Sequence, residues 1–554
     1  MSRRKKLPSE PKQLLSCHTF GVGHHTEGVS LLLHLGKHRL LLDCGLGELQ
    51  PLLKDSQPPV ELVFCSHAHQ DHALGLLEFH QTFPEIPIYT SEVTAKLLPL
   101  NWLERELSLI PSFCQVLPWR SPIQLDRDLS VELFPAGHLP GAAAILLNYT
   151  TSQRTYKIFY TGDFCLSNLQ LVDGLSLENL RGLAPDVLII EGTYGTARHP
   201  HRRQQEKQLM GKLDEAIARG KNILLPVPTF GLGQEILKLL RSHHRFTGKN
   251  LDIWVDGNLA LACDLYLELM AHFPQSVQNF ARYQPLFWDD KILPRMRRIT
   301  PEIERSQLGK SSCIVLSDRL TYLEEYWHLE GASWLILVPE QSKIRKNPLL
   351  SQFISQSNSE RISLETYLLA EHSDGRNTTQ LIHNLRPQHV IFVHGAPNYL
   401  ADLTSLEELQ TRYQLHSPPA GITVELPIGE QFIQTAVPPP NTYEGELNET
   451  GAFVTITLPE QINRDPRWQN FADTGLVEAC WQGEELVFRG LSQRELLQQS
   501  NLSPHQLELV ECCKNCFYYQ SQSCTNPSSP LYGFKVTPKG SCPVFEPVVG
   551  YCER

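Results

Sequence analysis

Short apolar runs alternate with polar loops through the first third of the chain, and each run ends on a residue able to bind a metal. Arg39-Leu40-Leu41-Leu42 leads into Asp43-Cys44-Gly45, and Leu62-Val63-Phe64-Cys65 into Ser66-His67-Ala68-His69-Gln70-Asp71-His72. Val131-Glu132-Leu133-Phe134 leads into Pro135-Ala136-Gly137-His138, and Lys157-Ile158-Phe159-Tyr160 into Thr161-Gly162-Asp163. Runs of this length and composition predict strands. Loops at the strand ends of layered α/β folds sit on a rigid sheet and can hold a constellation of side chains.

From about Arg203 the period changes. Leu209, Leu213, Ala216 and Ile217 recur at helical spacing between Gln204 and Arg219, with Gly220 placed to stop the helix. Asn222-Ile223-Leu224-Leu225-Pro226-Val227 reads as a buried strand, and Leu251-Asp252-Ile253-Trp254-Val255 as another. Between them Gly231-Leu232-Gly233-Gln234-Glu235 opens a helix through Ile236 and Leu240. The alternation predicts an inserted parallel α/β unit over residues 203–365. The first domain then resumes. His389-Val390-Ile391-Phe392-Val393 predicts a strand ending at His394-Gly395, followed by an amphipathic helix with Leu403, Leu406 and Leu409. Pro438-Pro439-Pro440-Asn441 marks a stiff linker, Leu486-Val487-Phe488 a strand, and Ser492-Gln493-Arg494-Glu495 fits a capping box. The expected division is a basic tail (1–14), a first domain in two parts (15–202 and 366–435) and the insert (203–365). A linker with a small α+β region (436–510) and a Cys-rich module (511–554) complete it.

Composition narrows the class. At 554 residues the chain is long for one core, and about two to four domains are expected. The apolar runs break at His, Lys or Asp before membrane-spanning length, so no membrane partner is expected. The start, Met1-Ser2-Arg3-Arg4-Lys5-Lys6, is basic but no apolar stretch follows it, so it reads as a solvated tail. Cysteines are scattered singly before Cys512, as buried small hydrophobes usually are, which points to a reducing, cytoplasmic setting. The net charge of −11 counts against broad binding to a phosphate backbone, without excluding a locally positive cleft.

The segment Ser66–His72 carries the most chemistry. Imidazole nitrogen and carboxylate oxygen are ligands for borderline cations such as zinc, and catalytic sites leave a position open for water. The spacing can place His67 and His69 on one metal and Asp71 and His72 on its neighbour. The alternative is a polar loop that happens to be rich in histidine.

Further markers follow in order: Asp43; Ala136-Gly137-His138 with Gly141-Ala142-Ala143; Thr161-Gly162-Asp163-Phe164; Glu191-Gly192-Thr193-Tyr194-Gly195; Glu371-His372-Ser373-Asp374; and Val393-His394-Gly395. Together with the histidine loop they resemble the metallo-β-lactamase fold and, within it, the β-CASP nucleases, over about residues 15–435. The resemblance implies an α/β chain: an αββα sandwich with an inserted parallel α/β β-CASP domain, here followed by a small Cys-rich module. It implies two zinc ions in the active site, one held by His67, His69 and His138 and the other by Asp71, His72 and His394. Asp163 bridges them, and Asp43 orients ligands from behind. Asp71 and Asp163 thereby join His372 and Glu191 as catalytic residues. His372 is the general acid for the departing 3′ oxygen, and Glu191 holds it cationic. RNA-directed members carry His where this chain has His394, whereas the DNA-repair branch usually carries Val, so RNA is the expected partner. A homodimer is a candidate assembly.

The implied function is a di-zinc hydrolase that cleaves RNA phosphodiester bonds with a metal-bound hydroxide, in RNA processing or decay. The alternatives are a catalytically silent RNA-binding subunit of a processing complex, or a DNA or small-ester hydrolase of the same fold.

The match thins in the insert. The family's Gly-Arg-x-Gln-Glu is Gly231-Leu232-Gly233-Gln234-Glu235 here, its Gly-Met-Leu is Ser317-Asp318-Arg319-Leu320, and its Gly-Tyr-Gln is Val338-Pro339-Glu340-Gln341. Positive charge for RNA must come from elsewhere. Arg198, Arg202 and Arg203 are the candidate contacts, with Arg295, Arg297 and Arg298, and Lys343, Arg345 and Lys346, as further clusters; each is either a solvated face or part of an RNA groove.

Near the end, Cys513, Cys516, Cys524 and Cys542 give C-x2-C-x7-C-x17-C, with Tyr518, Tyr519 and Phe545 nearby. A four-thiolate zinc site and a [4Fe–4S] cluster both fit that ligand set.

Overall fold

The computed structural model describes residues 15–429 apart from 25–26, 53–57, 104–109, 301–304, 306–307, 320–322, 327–331 and 341–360. Beyond 429 it describes four strands by their backbone, and residues 513, 516–520, 523–527, 529 and 536. The chain divides into two units, Met1–Gln434 and Thr435–Arg554.

The first unit is built on two seven-stranded sheets. One runs in the order Thr423–Glu425, Leu15–Val22, Val29–Leu35, His38–Leu42, Leu62–Phe64, Ile88–Thr90, Cys114–Val116. The other runs Gln414–His416, His389–Val393, Val187–Glu191, Thr155–Tyr160, Ala143–Thr150, Leu129–Pro135, Ile123–Asp126. Alternation along each strand splits the apolar residues between two cores. Leu31, Leu33, Val187 and Ile189 belong to the core between the sheets. Their neighbours Leu32, Leu188 and Ile190 face outward and join a second core with helix residues such as Leu76, Phe79, Leu97, Leu381, Leu385 and Leu400. The result is the expected αββα sandwich.

A third sheet of six strands is parallel throughout: Arg295–Arg298, Asp252–Asp256, Cys313–Ser317, Asn222–Pro226, Trp334–Pro339, Ile362–Tyr367. Its inner strands Cys313–Ser317 and Asn222–Pro226 are buried along their whole length, which explains their unbroken apolar runs. Helices Arg202–Ala218, Leu232–Ser242 and Asn258–Glu268 alternate with the strands. Gly220, at φ +75, follows the first helix as its position in the sequence predicted.

One expected helix is broken. Pro397–Ser405 stops at Leu406, whose backbone is extended (φ −64, ψ 114), and Glu407–Gln410 restarts beyond it. The hydroxyls of Thr404 and Ser405 donate to the carbonyls of Ala401 and Asp402, so the last turn is closed by side chains and the leucine spacing runs on across the break.

In the second unit, Glu446–Thr450, Phe453–Thr457, Val477–Gln482 and Glu485–Gly490 form an antiparallel meander. The linker at 438–441 and the capping box at 492–495 lie outside the described residues. No described helix is long and apolar enough to cross a membrane.

The inter-sheet core sets the stability of the sandwich. Leu33→Ala, at a fully buried position, should cost about 2–5 kcal/mol, read as a lower denaturant midpoint with an unchanged slope.

Candidate metal centre

The site residues sit where strands end. Ser66, His67 and His69 follow Leu62–Phe64, and the short helix Gln70–Ala73 carries Asp71 and His72. His138 follows Leu129–Pro135, Asp163 follows Thr155–Tyr160, Glu191 closes Val187–Glu191, and His394 follows His389–Val393. His372 precedes the helix Gly375–Leu385, which Asp374 caps by accepting the Asn377 N–H at 2.9 Å. Packing at these ends is close. Gly162 has φ +54, and a Cβ there would lie 2.7 Å from that of Ser66. Asp43 (φ 58) and His394 (φ 50) adopt the left-handed region without being glycine, a strain that structure at functional sites often holds. The His394 N–H donates to the Val22 carbonyl at 2.6 Å, tying this residue to the first sheet.

Two ligand groups form around Asp163. In one, His69 Nδ1 lies 3.2 Å from His67 Nε2 and 3.0 Å from His138 Nε2, while Asp163 Oδ2 is 3.6 and 3.7 Å from the same two Nε2 atoms. In the other, Asp71 Oδ2 lies 3.4 Å from His394 Nε2, and Asp163 Oδ1 lies 3.3 Å from His72 Nε2. A tetrahedral zinc at about 2.0–2.1 Å from its ligands needs ligand atoms about 3.3–3.4 Å apart. The distances in the first group, 3.0–3.7 Å, bracket that measure, and the two in the second, 3.4 and 3.3 Å, match it. His72 Nε2 and Asp163 Oδ1 are moreover buried without a hydrogen-bond partner, as atoms meant for a cation would be.

The two groups differ electrically. Burial and mutual repulsion hold His138 down at about 3, and burial holds His69 at about 4 against the pull of Asp71 and Asp163. These rings are neutral, with the lone pairs a metal needs. Burial also opposes charge on His72, but Asp163 and Asp43 more than offset it and raise its pKa. That side of the site draws positive charge.

A second layer orients the rings. Asp43 accepts from His72 Nδ1 at 2.7 Å, the Ser66 N–H at 2.6 Å, the Ser66 hydroxyl at 2.8 Å and the Tyr160 hydroxyl at 2.5 Å. His138 Nδ1 donates to the Glu371 carbonyl at 3.0 Å. Such partners fix the tautomer and direction of ligand imidazoles. Sequence reading named Asp43 but missed Ser66, Tyr160 and Thr193. Tyr160 was legible only as an inward residue of its strand, and the two hydroxyls only as neighbours of His67 and Glu191.

His372 stands beside these two groups, its ring centre 4.5 Å from that of His138. Its Nδ1 is 3.0 Å from Glu191 Oε1. Burial opposes its charge, but Glu191 and Asp163 raise its pKa. Burial would likewise raise Glu191, yet the facing His372 holds it at about 2.

The arginines need correction. Arg202 is 8% exposed, donating to the Ala370 carbonyl at 2.6 Å, to Glu235 at 3.1 Å and to Glu206 at 3.3 Å. Its guanidinium is engaged inside the protein and is not an RNA contact. Arg198 and Arg203 are exposed. Arg295, Arg297 and Arg298 pair with Asp252, Asp290 and Asp264. Lys343, Arg345 and Lys346 lie outside the described residues. A further group, His38 with Asp126 and Asp128, already has Lys37 as its cation, 2.8 and 3.4 Å from the two carboxylates.

In the second unit Cys513, Cys516 and Cys524 are buried, Cys513 and Cys524 in a small cluster with Val536 and Tyr519. The N–H of Cys516 donates to the Cys513 carbonyl at 3.0 Å, turning the backbone between them. Cys542 lies outside the described residues.

Comparison with known proteins agrees with this geometry. Residues 38–218 match the Beta-lactamase superfamily domain. The chain is 53% identical to "Uncharacterized protein sll0514" of Synechocystis sp., over 96% of both chains. It is 33% identical to "Probable RNase MJ4" of Methanocaldococcus jannaschii, over 51% of this chain and 67% of that one. With "Ribonuclease TTHA0252" of Thermus thermophilus it shares 29% identity over 47% of this chain and 62% of the relative. With its motifs in order and its sandwich fold, the chain belongs to the metallo-β-lactamase superfamily and, within it, to the β-CASP ribonuclease family.

Proposed function

We propose that this chain is a metal-dependent phosphodiesterase that cleaves RNA, with two zinc ions between its strand ends. One observation carries the reading: the two oxygens of Asp163 face different imidazoles, Oδ1 toward His72 at 3.3 Å and Oδ2 toward His67 at 3.6 Å. A carboxylate can give one oxygen to each of two cations, so Asp163 belongs at the shared position. His67, His69 and His138 would hold one cation, and Asp71, His72 and His394 the other. When bound, such a pair lowers the pKa of water and balances charge on the phosphate.

The other tasks fall to side chains. Glu191 grips His372 through Nδ1 and keeps it cationic, leaving Nε2 to pass a proton to the departing 3′ oxygen. Asp43 holds His72 with its Nε2 toward Asp163. His394 supports RNA over DNA as substrate, and relatives named as ribonucleases support the same choice. Exposed Arg198 and Arg203 contact the RNA phosphates. In the second unit, buried cysteine thiolates bind a third metal centre, zinc or [4Fe–4S].

Four measurements test this reading. Asp163→Asn should reduce cleavage of end-labelled RNA by more than about 100-fold, beyond what loss of an outer partner costs. His372→Ala should lower kcat by about 10²–10⁴-fold while zinc content is unchanged. Full ribonuclease activity in Asp163→Asn would sink the assignment. For the arginines, RNA binding is measured against salt on the Asp163→Asn protein. Arg198→Ala and Arg203→Ala should each flatten the salt slope by about one, and an unchanged slope removes that residue from the interface. For the cysteines, metal analysis and a visible spectrum of anaerobically purified protein decide. Iron with broad visible absorption marks a cluster and a colourless protein with a third zinc marks zinc. A protein carrying neither refutes the third centre.

A further inference from the structure

The hydrogen-bond directions around Thr193 assign it a task that the metal ligands leave open. Three imidazoles of the site already have a clear partner for the nitrogen turned away from the cluster. His67 Nδ1 meets Ser66 Oγ at 3.0 Å, His72 Nδ1 meets Asp43 at 2.7 Å, and His138 Nδ1 meets the Glu371 carbonyl at 3.0 Å. The Ser66 case shows the logic. Its hydroxyl gives its one proton to Asp43 at 2.8 Å, so its oxygen can only accept from His67, which fixes the proton on Nδ1 and the lone pair on Nε2.

Thr193 repeats that arrangement on the other side of the site. Its hydroxyl donates to Glu191 Oε2, an ionised carboxylate that can only accept. With the proton committed there, Thr193 Oγ1 faces His394 Nδ1 at 2.9 Å as an acceptor. Asp163 Oδ1 lies 3.3 Å from the same nitrogen but makes no hydrogen bond to it, so Thr193 is its partner. A His394 ring whose Nδ1 proton is held in this way can turn the Nε2 lone pair toward a metal, and Nε2 is the atom 3.4 Å from Asp71 Oδ2. Glu191 Oε2 is 3.9 Å from His394 Nδ1, too far for a hydrogen bond, so the hydroxyl bridges a gap the carboxylate cannot. The other oxygen of Glu191 accepts from His372 and from the Phe164 N–H at 2.8 Å.

We infer that Thr193 is a positioning residue: its hydroxyl sets the His394 tautomer and joins that ligand, through Glu191, to the proton donor His372. This rests on the reading above that His394 is a metal ligand and His372 the acid. Loss of the hydroxyl frees His394 to turn or change tautomer, and it leaves one oxygen of Glu191 without its donor.

The test compares Thr193→Val, which keeps the shape and loses the hydroxyl, with Thr193→Ser, which keeps the hydroxyl. Zinc retention is measured by competition with a chromogenic chelator, and kcat and KM on a short single-stranded RNA. Thr193→Val should lose about 10–100-fold in zinc affinity or kcat, with KM unchanged, and Thr193→Ser should restore both. Where Thr193→Val melts early in the metal-free state, Thr193→Ala replaces it in the comparison with Ser. Wild-type zinc affinity and kcat in the hydroxyl-free variant overturns the inference. So does a Ser variant as impaired as Val, because packing of the methyl group would then be the cause. If the wild-type protein binds zinc but cuts no RNA, the ribonuclease reading fails while the chelator competition still decides the role of Thr193.

Discussion

A carboxylate buried as deeply as Asp163, 2% exposed, requires positive charge close by. Its nearest partners are imidazoles: His72 and His394 at 3.3 Å, His67 at 3.6 Å, His138 at 3.7 Å and His372 at 3.8 Å. Protonating several of these rings at once would set like charges against one another, since His69 lies within 3.2 Å of both His67 and His138. Cations between the rings would relieve both problems, neutralising Asp163 and giving the converging lone pairs something to bind. One carboxylate buried among five histidines is therefore an arrangement that favours metal binding.

That burial is made possible by the sandwich behind it. The inter-sheet core fixes the strands whose ends carry Asp43, Asp163, Glu191 and His394, so the ligands inherit the rigidity of two seven-stranded sheets. Behind the ligands, Asp43 shows how little freedom remains. It accepts four hydrogen bonds from three residues, and its own backbone N–H is held by the Phe64 carbonyl at 2.8 Å. An imidazole fixed from behind by such a group cannot turn without breaking a buried charge-assisted bond.

Much of this was legible before any coordinates. Strands were marked by short apolar runs, and the clustered His and Asp side chains by their position just beyond them, because a strand end is both the natural place for a loop and a fixed point in space. The helix expected between Gln204 and Arg219 spans Arg202–Ala218, and Gly220 follows it as the spacing predicted. What spacing could not show was depth. Arg198, Arg202 and Arg203 look alike as a basic run, yet the second is buried because it falls at the first turn of a helix whose inner face meets Glu235. Arg295, Arg297 and Arg298 read as free charge only because Asp252, Asp264 and Asp290 lie apart from them in sequence. Leucine spacing likewise ran through the break at Leu406, which is set by side-chain bonding to the backbone. Ser66, Tyr160 and Thr193 carry no metal-ligand chemistry of their own, so only geometry could place them.

The displaced arginine explains how the parallel layer bears on the chemistry. Arg202 opens the first helix after the histidine-rich segment and donates to the Ala370 carbonyl, while Gln205 from the same helix accepts the Ala370 N–H at 2.8 Å. The N–H and the carbonyl of Ala370 are thus both held by one helix, two residues before His372. Glu235, from the next helix, neutralises Arg202 and accepts the N–H groups of Gln170 and Leu171 at 2.6 and 2.7 Å. The segment carrying His372 is therefore fixed from the side of the parallel sheet, while its Nδ1 is fixed by Glu191 from the sandwich. His372, the proposed proton donor, is thus held from two layers. The guanidinium that an RNA groove would have used as a surface charge acts here as the strut between them.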